Sequence, residues 1–387
     1  MKSMVELTGS ISPMHRIPRQ PMSTVVQAMA ASAAECVATI ARTTIFTLAL
    51  ARFCTCLDAP IVNRRSLCSG GVVGNRQRRI REFNKYLGTS YPIRSFCLTC
   101  IVEIARRWRF ETKEKTMSLH EGKVAFITGV ARGQGRAHAV KLAQQGMNII
   151  GVDICETIDS MDYPAANEAD LAETVRLVEA EDRQIIAHKA DVRDAAALEK
   201  AVAEGVSQFG RLDVIIANAG FIRLTEGSDP AAVWRDVIDV LLNGVWNTVQ
   251  AGLPAMLDGG RGGSVVITSS TAGLKGVGKR DAGTQAYAAA KRGVVGLMQV
   301  LAKEYAQDWI RVNTIHPTGV YTGMTMNETF RKLFEDAGSM LQGMQNALPV
   351  EMLEPTDIAN VVSWLVSDEA KYLTGVQLPI DAGMMIR

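Results

Sequence analysis

The fold of this chain is decided by the stretch Thr128-Gly129-Val130-Ala131-Arg132-Gly133-Gln134-Gly135. It follows an apolar, strand-like run at 124–127 and leads into residues 136–143, whose apolar positions recur at helical spacing. A glycine turn between a strand and a helix lets a pyrophosphate approach the backbone and the N–H groups at the helix N-terminus. We therefore predict that a dinucleotide is bound by Gly129, Arg132, Gly133, Gln134 and Gly135.

The spacing of these glycines is Gly-x3-Gly-x-Gly, whereas the general dinucleotide fingerprint is Gly-x-Gly-x2-Gly. Taken alone, the stretch is also compatible with an ordinary glycine turn. The choice between the two interpretations depends on the residues that follow it along the chain.

Apolar, strand-like runs alternate with amphipathic stretches from residue 124 onward. The runs lie at 124–127, 148–152, 184–188, 214–217, 264–268, 311–316 and 377–380. The amphipathic stretches lie at 170–181, 195–209, 231–256, 287–307 and 356–367. This alternation predicts an α/β fold, a Rossmann-type doubly wound sheet of seven parallel strands with helices on both faces. Such a sheet binds its ligand beyond the carboxyl ends of the strands.

Charge and cysteine divide the 387 residues into two parts near Met117. Residues 1–116 hold 18 Lys+Arg against 7 Asp+Glu, a balance of +11, and the remaining 24 basic and 33 acidic residues give −9. Six of the seven cysteines also precede residue 117. We expect 117–387 to be the folded domain, free of disulfides and suited to a reducing cytoplasm.

Residues 1–116 allow three interpretations. A membrane span is disfavoured because Glu35 and Arg42 interrupt the apolar region at 24–50. A transit peptide fits the shortage of acids, but the segment is long. We favour the third interpretation, in which the segment is disordered or lies outside the native protein and Met117 is the natural start. Consequently we expect no membrane association.

Neither a metal site nor a nucleic-acid site is predicted. Cys97 and Cys100 have the spacing of a zinc half-site, but the second half-site is missing and no histidine occurs between His15 and His120. The arginine-rich run at 76–81 is interpreted as a solvated basic face.

Asp153 ends the second predicted strand, 24 residues after Gly129, close to the offset of roughly 20 expected for an acid that binds the adenosine ribose. A carboxylate there repels a 2′-phosphate, so NAD is predicted over NADP. Arg132 argues the other way, because it could pair with that phosphate or serve the pyrophosphate instead. Later strand ends add small and polar residues to the predicted cofactor site, namely Asp191, Val192, Asn218, Ala219 and Gly220.

The chemistry is predicted at Ser270, Tyr287 and Lys291. Ser270 closes the fifth strand, and Tyr287 opens the next helix with Lys291 four residues later on the same helical face. An ammonium beside a phenol is expected to lower the tyrosine pKa, so that Tyr287 can transfer protons near neutral pH. The serine hydroxyl can hydrogen-bond a substrate oxygen that changes between alcohol and carbonyl.

In combination, these motifs resemble the short-chain dehydrogenase/reductase family over residues 121–387. The resemblance also includes the Arg311-Val312-Asn313-x3-Pro317-Thr318-Gly319 segment. Within the family, 128–139 and 268–276 are similar to the mycofactocin-coupled, carveol dehydrogenase-like branch, whose members oxidise secondary, often terpenoid alcohols with a tightly retained NAD. The resemblance implies an NAD-dependent secondary-alcohol dehydrogenase with mycofactocin as an external electron acceptor.

Carried over to this chain, the resemblance makes Tyr287 the acid/base, Lys291 its electrostatic partner and ribose ligand, and Ser270 the ligand of the substrate oxygen. Val320 and Thr322 would meet the cofactor, Thr322 at its carboxamide. The helices around 233–256 and 287–307 imply a homodimer or homotetramer.

Leu241 departs from the family, which commonly has asparagine at this place in the fourth helix. In the family this residue supports a proton relay, and the sequence leaves open whether this chain has that relay. A non-catalytic, NAD-sensing protein of the same fold is the alternative hypothesis.

Two connections are long. The one at 154–167 exceeds the usual strand-to-helix length of about two to six residues, and the interval of 17 from Ser270 to Tyr287 is several residues longer than is usual in the family that the chain resembles. We hypothesise that both cover the NAD and slow its exit. The segment 321–355 is predicted to be a substrate lid, because methionine adapts to irregular apolar shapes. Its apolar residues are Met324, Met326, Phe330, Leu333, Phe334, Met340, Leu341, Met344 and Met352.

Overall fold

The computed structural model of the chain describes residues 118–227, 229–336 and 345–387, with only the backbone at 333–336. The predicted extension at 1–116, with its cysteines and arginine run, lies outside the described residues. So do Met340, Leu341 and Met344 of the predicted lid.

Seven parallel strands form one sheet in the order β3-β2-β1-β4-β5-β6-β7. The strands are β1 (Val124–Thr128), β2 (Asn148–Asp153), β3 (Ile185–Lys189), β4 (Val214–Ala217), β5 (Gly263–Thr268), β6 (Ile310–Pro317) and β7 (Gln377–Ile380). β1 and β4 are buried along their whole length, as strands covered on both faces must be. The predicted doubly wound fold of seven strands is confirmed.

Eight α-helices lie within the described residues. They are α1 (Gly133–Gln144), α2 (Glu168–Glu179), α3 (Ala195–Phe209), α4 (Pro230–Ile238), α5 (Gly244–Gly259), α6 (Ala282–Glu304), α7 (Glu328–Asp336) and α8 (Pro355–Leu365). Local sequence sets several of their starts. Asp194, Asp229 and Asp281 each accept backbone hydrogen bonds as N-caps of α3, α4 and α6.

One predicted helical stretch contains an irregular turn, and the predicted start of another helix is wrong. The chain stays helical across 231–256, but the wider π-turn Asp239–Asn243, with a backbone bond from Gly244 N–H to Asp239 O, separates α4 from α5. Tyr287 does not open α6, which begins five residues earlier at Ala282 because the Asp281 side chain caps it. Tyr287 and Lys291 still share one face of that helix.

The core consists of two apolar layers, one on each side of the sheet. One layer joins residues of α3, α4, α5 and α6 to the sheet, and the other joins residues of α1, α2 and α8. β1 pairs with β2 on one side and with β4 on the other. The order of the strands therefore runs outward in opposite directions from the boundary between β1 and β4, which is the switch point of the sheet. A crevice at the carboxyl ends of these strands is where a ligand is expected.

Candidate active site

At the switch point of the sheet, hydrogen bonds join the end of β1 to the turn that follows β4. The Thr128 hydroxyl accepts from the backbone N–H of Asn218 at 3.1 Å and of Ala219 at 3.2 Å. The Asn218 amide donates back to the Thr128 carbonyl at 3.1 Å. The glycine loop and the Asn218-Ala219-Gly220 turn are therefore fixed relative to each other.

The glycine loop is packed so tightly that Gly129 and Gly135 have no room for side chains. A Cβ on Gly135 would overlap the Gly129 carbonyl oxygen, and a Cβ on Gly129 would lie 2.8 Å from the Cα of Ala219. Gly129 also has a φ of +70°, a conformation that favours glycine. The spacing that missed the general fingerprint is thus required by the packing of this loop.

Three side chains stabilise the glycine loop by hydrogen bonds to the backbone of Ala131. Asp153 accepts the Ala131 N–H at 2.9 Å and the Cys155 N–H at 3.1 Å. The Arg136 guanidinium donates to the Ala131 carbonyl at 2.5 Å, and the Thr174 hydroxyl donates to it at 3.0 Å. Sequence reasoning missed Arg136 and Thr174. The position of Arg136 directly after the motif was the available signal for the first, and the sequence held none for the second.

A cavity of about 160 Å³ lies along this loop. Most predicted cofactor residues border it, namely Gly129, Arg132, Gly133, Gln134, Asp153, Asp191, Val192, Asn218, Ala219, Gly220 and Thr322. Gly135 lies behind the loop, and Val320 borders a second cavity. The Asp191 carboxylate is paired with Arg193 at 2.6 Å, so its charge is largely neutralised.

Arg132, whose partner the sequence left open, reaches across the cavity mouth. Its guanidinium donates to the Pro164 carbonyl at 2.6 Å. Arg132 therefore connects the glycine loop to the long connection at 154–167 through one hydrogen bond to a backbone oxygen.

The connection at 154–167 is tied down as a strap over this cavity. The Asp162 carboxylate accepts from Leu224 N–H at 3.0 Å and from both the N–H and the hydroxyl of Thr225 at 2.8 Å. The Ser160 carbonyl accepts from Arg223 at 3.0 Å. Tyr163 of this strap is buried and borders the cavity. The strap is thus anchored to the loop after β4.

Ser270, Tyr287 and Lys291 come together at one wall of the second cavity, which measures about 630 Å³. Lys291 is buried, and its ammonium donates to the Thr268 carbonyl at 2.7 Å, with Nζ 5.7 Å from the centre of the Tyr287 ring. Burial lowers the pKa of Lys291 to about 8. The three residues form one group.

The predicted fall in the Tyr287 pKa is wrong for this arrangement. Burial raises the pKa of Tyr287 above its usual value, and a hydrogen bond with Ser270 only partly offsets that rise. The physical reason is that a phenolate loses its hydration in the buried site, while the Lys291 ammonium is directed at a carbonyl and not at the phenol oxygen.

His316 on β6 holds the backbone of Ser270. Its Nδ1 lies 2.9 Å from the Ser270 carbonyl, and its Nε2 lies 2.9 Å from the Thr314 hydroxyl. A carbonyl only accepts, so Nδ1 carries the proton and Nε2 accepts from the hydroxyl in the neutral ring. Burial lowers the pKa of His316, which preserves this neutral form. His316 lies at the end of the predicted strand run 311–316, and no local pattern in the sequence signals this role.

Leu241 is fully buried in the wide turn between α4 and α5. It packs on Gly220, where a Cβ would lie 2.6 Å from its Cδ2. The backbone departs from a regular α-helix at this place although the side chain is apolar. The sensor hypothesis, which rested on Leu241, gains no support from this packing.

The described parts of the segment 321–355 contribute the apolar walls of the second cavity. Met324 and Phe330 lie on one side, and Leu348, Val350 and Met352 on another. Met326, by contrast, is 62% exposed and does not border the cavity. Whether this segment opens and closes as a lid stays a prediction.

Within the described ranges, 118–227, 229–336 and 345–387, no three His, Cys, Asp or Glu side chains are grouped as a metal ion would need. No helix in them combines the length and the apolar character needed to cross a bilayer.

Comparison with known proteins adds independent information. A family model described as enoyl-(acyl carrier protein) reductase matches residues 129–385. The (−)-trans-carveol dehydrogenase of Rhodococcus erythropolis is 42% identical over 281 residues, 70% of this chain and 100% of that protein.

Two crystal structures are similar to this chain. Carveol dehydrogenase from Mycobacterium avium in complex with NAD is 48% identical, has a TM-score of 0.65, and is matched over 69% of this chain and 99% of its own. A short chain dehydrogenase from Mycobacterium paratuberculosis bound to NAD is 43% identical, with the same TM-score, and is matched over 69% of this chain and 99% of its own.

Proposed function

We propose that this chain, which belongs to the short-chain dehydrogenase/reductase family, catalyses hydride transfer between NAD and a secondary alcohol–ketone pair. The observation that carries the proposal is the grouping of Ser270, Tyr287 and Lys291 where the substrate cavity adjoins the cofactor cavity. Relatives that are crystallised with NAD support the choice of cofactor.

The residues at the glycine loop fit a dinucleotide. The first helix after the loop has no side-chain cap and no acidic residue in its first turn, so its free N–H groups and positive end favour a pyrophosphate. The Asp153 carboxylate at the cavity wall disfavours a 2′-phosphate, and this supports NAD over NADP. The Arg132 guanidinium donates one hydrogen bond to the Pro164 carbonyl and keeps its positive charge.

NAD, when bound, supplies the hydride acceptor and the positive charge of its nicotinamide ring. Ser270 donates a hydrogen bond to the substrate oxygen and orients the carbon that loses hydride. The phenolate form of Tyr287 takes the hydroxyl proton as the alcohol becomes a ketone, and in the reverse reaction the phenol returns that proton. Because burial raises the pKa of Tyr287, formation of the phenolate depends on nearby positive charge, which the Lys291 ammonium, 5.7 Å from the ring centre, provides.

The substrate is proposed to be an apolar, terpenoid-like cyclic alcohol. The wall formed by Met324, Phe330 and Met352 offers dispersion contacts and adaptable methionine side chains. A cavity of about 630 Å³ has room for a ring with substituents. The carveol dehydrogenase of Rhodococcus erythropolis supports this class of substrate.

Retention of NAD is proposed to follow from the strap at 154–167. Asp162 and Arg132 hold its two sides to the loop after β4 and to the glycine loop. Release of a bound dinucleotide would require these contacts to open. A retained cofactor would need an external electron acceptor, for which mycofactocin is the proposal that the family resemblance carries.

Self-association as a homodimer or homotetramer is proposed through the helices that carry Trp246 and Val300. These apolar side chains are 51% and 65% exposed, which is unfavourable for a surface that stays in water. The cytoplasm is the proposed location, on the basis of the low cysteine content of residues 117–387.

The proposed function is tested on the purified full chain. Mass spectrometry of the denatured protein would identify bound nucleotide, and turnover would be followed with added NAD or an artificial electron acceptor and a panel of cyclic secondary alcohols. We expect bound NAD and turnover of at least one alcohol. Absence of nucleotide, of NAD binding and of turnover across the panel would overturn the proposal.

A further inference from the structure

Gln134 occupies the joint between the two cavities. It is one of the few residues that border both, together with Asn218, Gly220, Thr322 and Met324. Thr322 also lies against the preceding residue of the loop, since a Cβ on Gly133 would be 3.2 Å from its Cγ2. Gln134 is therefore placed between the cofactor-binding loop and the wall that carries Thr322.

The side-chain oxygen of Gln134 lacks a donor. Its Oε1 is buried and accepts no hydrogen bond from the residues that the structure describes. Buried polar atoms are nearly always hydrogen-bonded, and leaving one without a partner costs about 1–3 kcal/mol. The sequence thus maintains at this joint an acceptor that needs a donor from outside the described chain.

The chemistry of a dinucleotide restricts which part of it can satisfy this oxygen. Pyrophosphate oxygens are ionised near neutral pH and offer no proton, whereas the nicotinamide carboxamide and its ribose hydroxyls are donors. The nicotinamide end must also lie nearest to Ser270, Tyr287 and Lys291, which border the second cavity at this joint.

We propose that the Gln134 side chain accepts a hydrogen bond from the nicotinamide riboside half of NAD and so positions the ring between Tyr287 and the glycine loop. This inference rests on the proposed function, because it assumes that the loop binds NAD. Gln134 acts in it as a positioning residue that contacts the cofactor through its side chain, in addition to any contact that its backbone N–H makes.

The test compares NAD with ADP, which lacks both the nicotinamide and its ribose, as ligands of charcoal-treated full-length protein. The variant Gln134→Met keeps the length of the side chain and removes its hydrogen bonds. We expect NAD binding to weaken about tenfold and ADP binding to stay unchanged, since one hydrogen bond is worth about that factor. Gln144→Met, at the exposed far end of the same helix, is the matched control and should leave both affinities unchanged.

Two outcomes would overturn the inference. Equal weakening of NAD and ADP would place the contact at the pyrophosphate or attribute it to a general change in the loop. Unchanged NAD binding would mean that solvent satisfies the oxygen. If the unmodified protein binds neither ligand, the proposed function itself fails, and this result is distinct from both others.

Discussion

The two cavities that meet at Gln134 and Gly220 have walls of different kinds. The cofactor side is fixed by charged and polar side chains bonded to backbone groups, with Asp153, Arg136 and Thr174 all directed at Ala131. The substrate side presents apolar side chains such as Met324 and Met352. Directional hydrogen bonds specify one geometry, whereas methionine contacts tolerate several shapes. The difference indicates a cofactor held in one position beside a substrate site that adapts.

The largest effect is expected from a substitution that disrupts the cofactor-binding loop. In Gly135→Ala, the new methyl group overlaps the Gly129 carbonyl, so the loop must move and NAD binding and turnover should be abolished. Isothermal titration with NAD would measure the loss, with circular dichroism to check the fold. Gly296→Ala on α6 is the control, because nothing lies within 4 Å of its Cβ position and both properties should be retained.

The second prediction concerns pH and the helix α1 that follows the glycine loop. His138 on this helix is buried, and burial lowers its pKa from 6.5 to about 4. The folded state therefore keeps His138 neutral, while the unfolded chain binds a proton below about pH 6.5. Stability should be unaffected above that pH and should fall as the pH drops from 6.5 towards 4, by on the order of 3 kcal/mol.

Urea unfolding at several pH values would measure this fall. In His138→Leu the slope between pH 6.5 and 4 should become shallower. His120, whose pKa burial also lowers to about 4, would leave a residual slope of the same sign. An unchanged slope in His138→Leu would contradict the prediction that this histidine contributes to the pH dependence of stability.

The third prediction concerns a substitution that weakens the anchoring of the strap and leaves Ser270, Tyr287 and Lys291 unchanged. Asp162→Asn removes the charge that holds Leu224 and Thr225, and such charge-assisted bonds contribute about 1.5–3 kcal/mol. Release of labelled NAD into excess unlabelled NAD should accelerate by roughly 10- to 100-fold. Asp159→Asn, an exposed carboxylate of the same connection, should release NAD at the unmodified rate. Equal rates in all three proteins would contradict retention by the strap.

The smallest expected effect lies on the adaptable side. Met352→Ala enlarges the second cavity, so relative kcat/KM values for bulky and small cyclic alcohols should shift by about tenfold in favour of the bulky ones. Affinity for NAD should not change. Met326→Ala, at an exposed methionine of the same segment, should leave the preference unaltered.

The same division explains what could be predicted from the sequence. Periodicity located all seven strands, because the central ones such as β1 and β4 are continuous apolar runs that are buried, and the partly buried edge strands β3 and β7 are still short apolar runs. Local spacing also grouped Tyr287 with Lys291. The contacts of Arg136 with Asp170 and Thr174, and of His316 with Ser270, join residues far apart in the chain, and no local pattern encodes them.

The direction of the Tyr287 pKa was mispredicted for a related reason. A neighbouring lysine is visible in the sequence, but the burial of the phenol and the orientation of Lys291 towards Thr268 depend on the assembled fold. Likewise, the start of α6 was placed too late because the capping role of Asp281 was not recognised.

The central claim is that Tyr287 transfers the proton beside a cofactor that the glycine loop holds independently. It is tested by loading the unmodified protein and Tyr287→Phe with NAD and measuring nicotinamide reduction after a secondary alcohol is added. The account predicts that the variant binds NAD as well as the unmodified protein does but reduces it about 10²- to 10⁴-fold more slowly. Reduction at the unmodified rate by the NAD-loaded variant would contradict it.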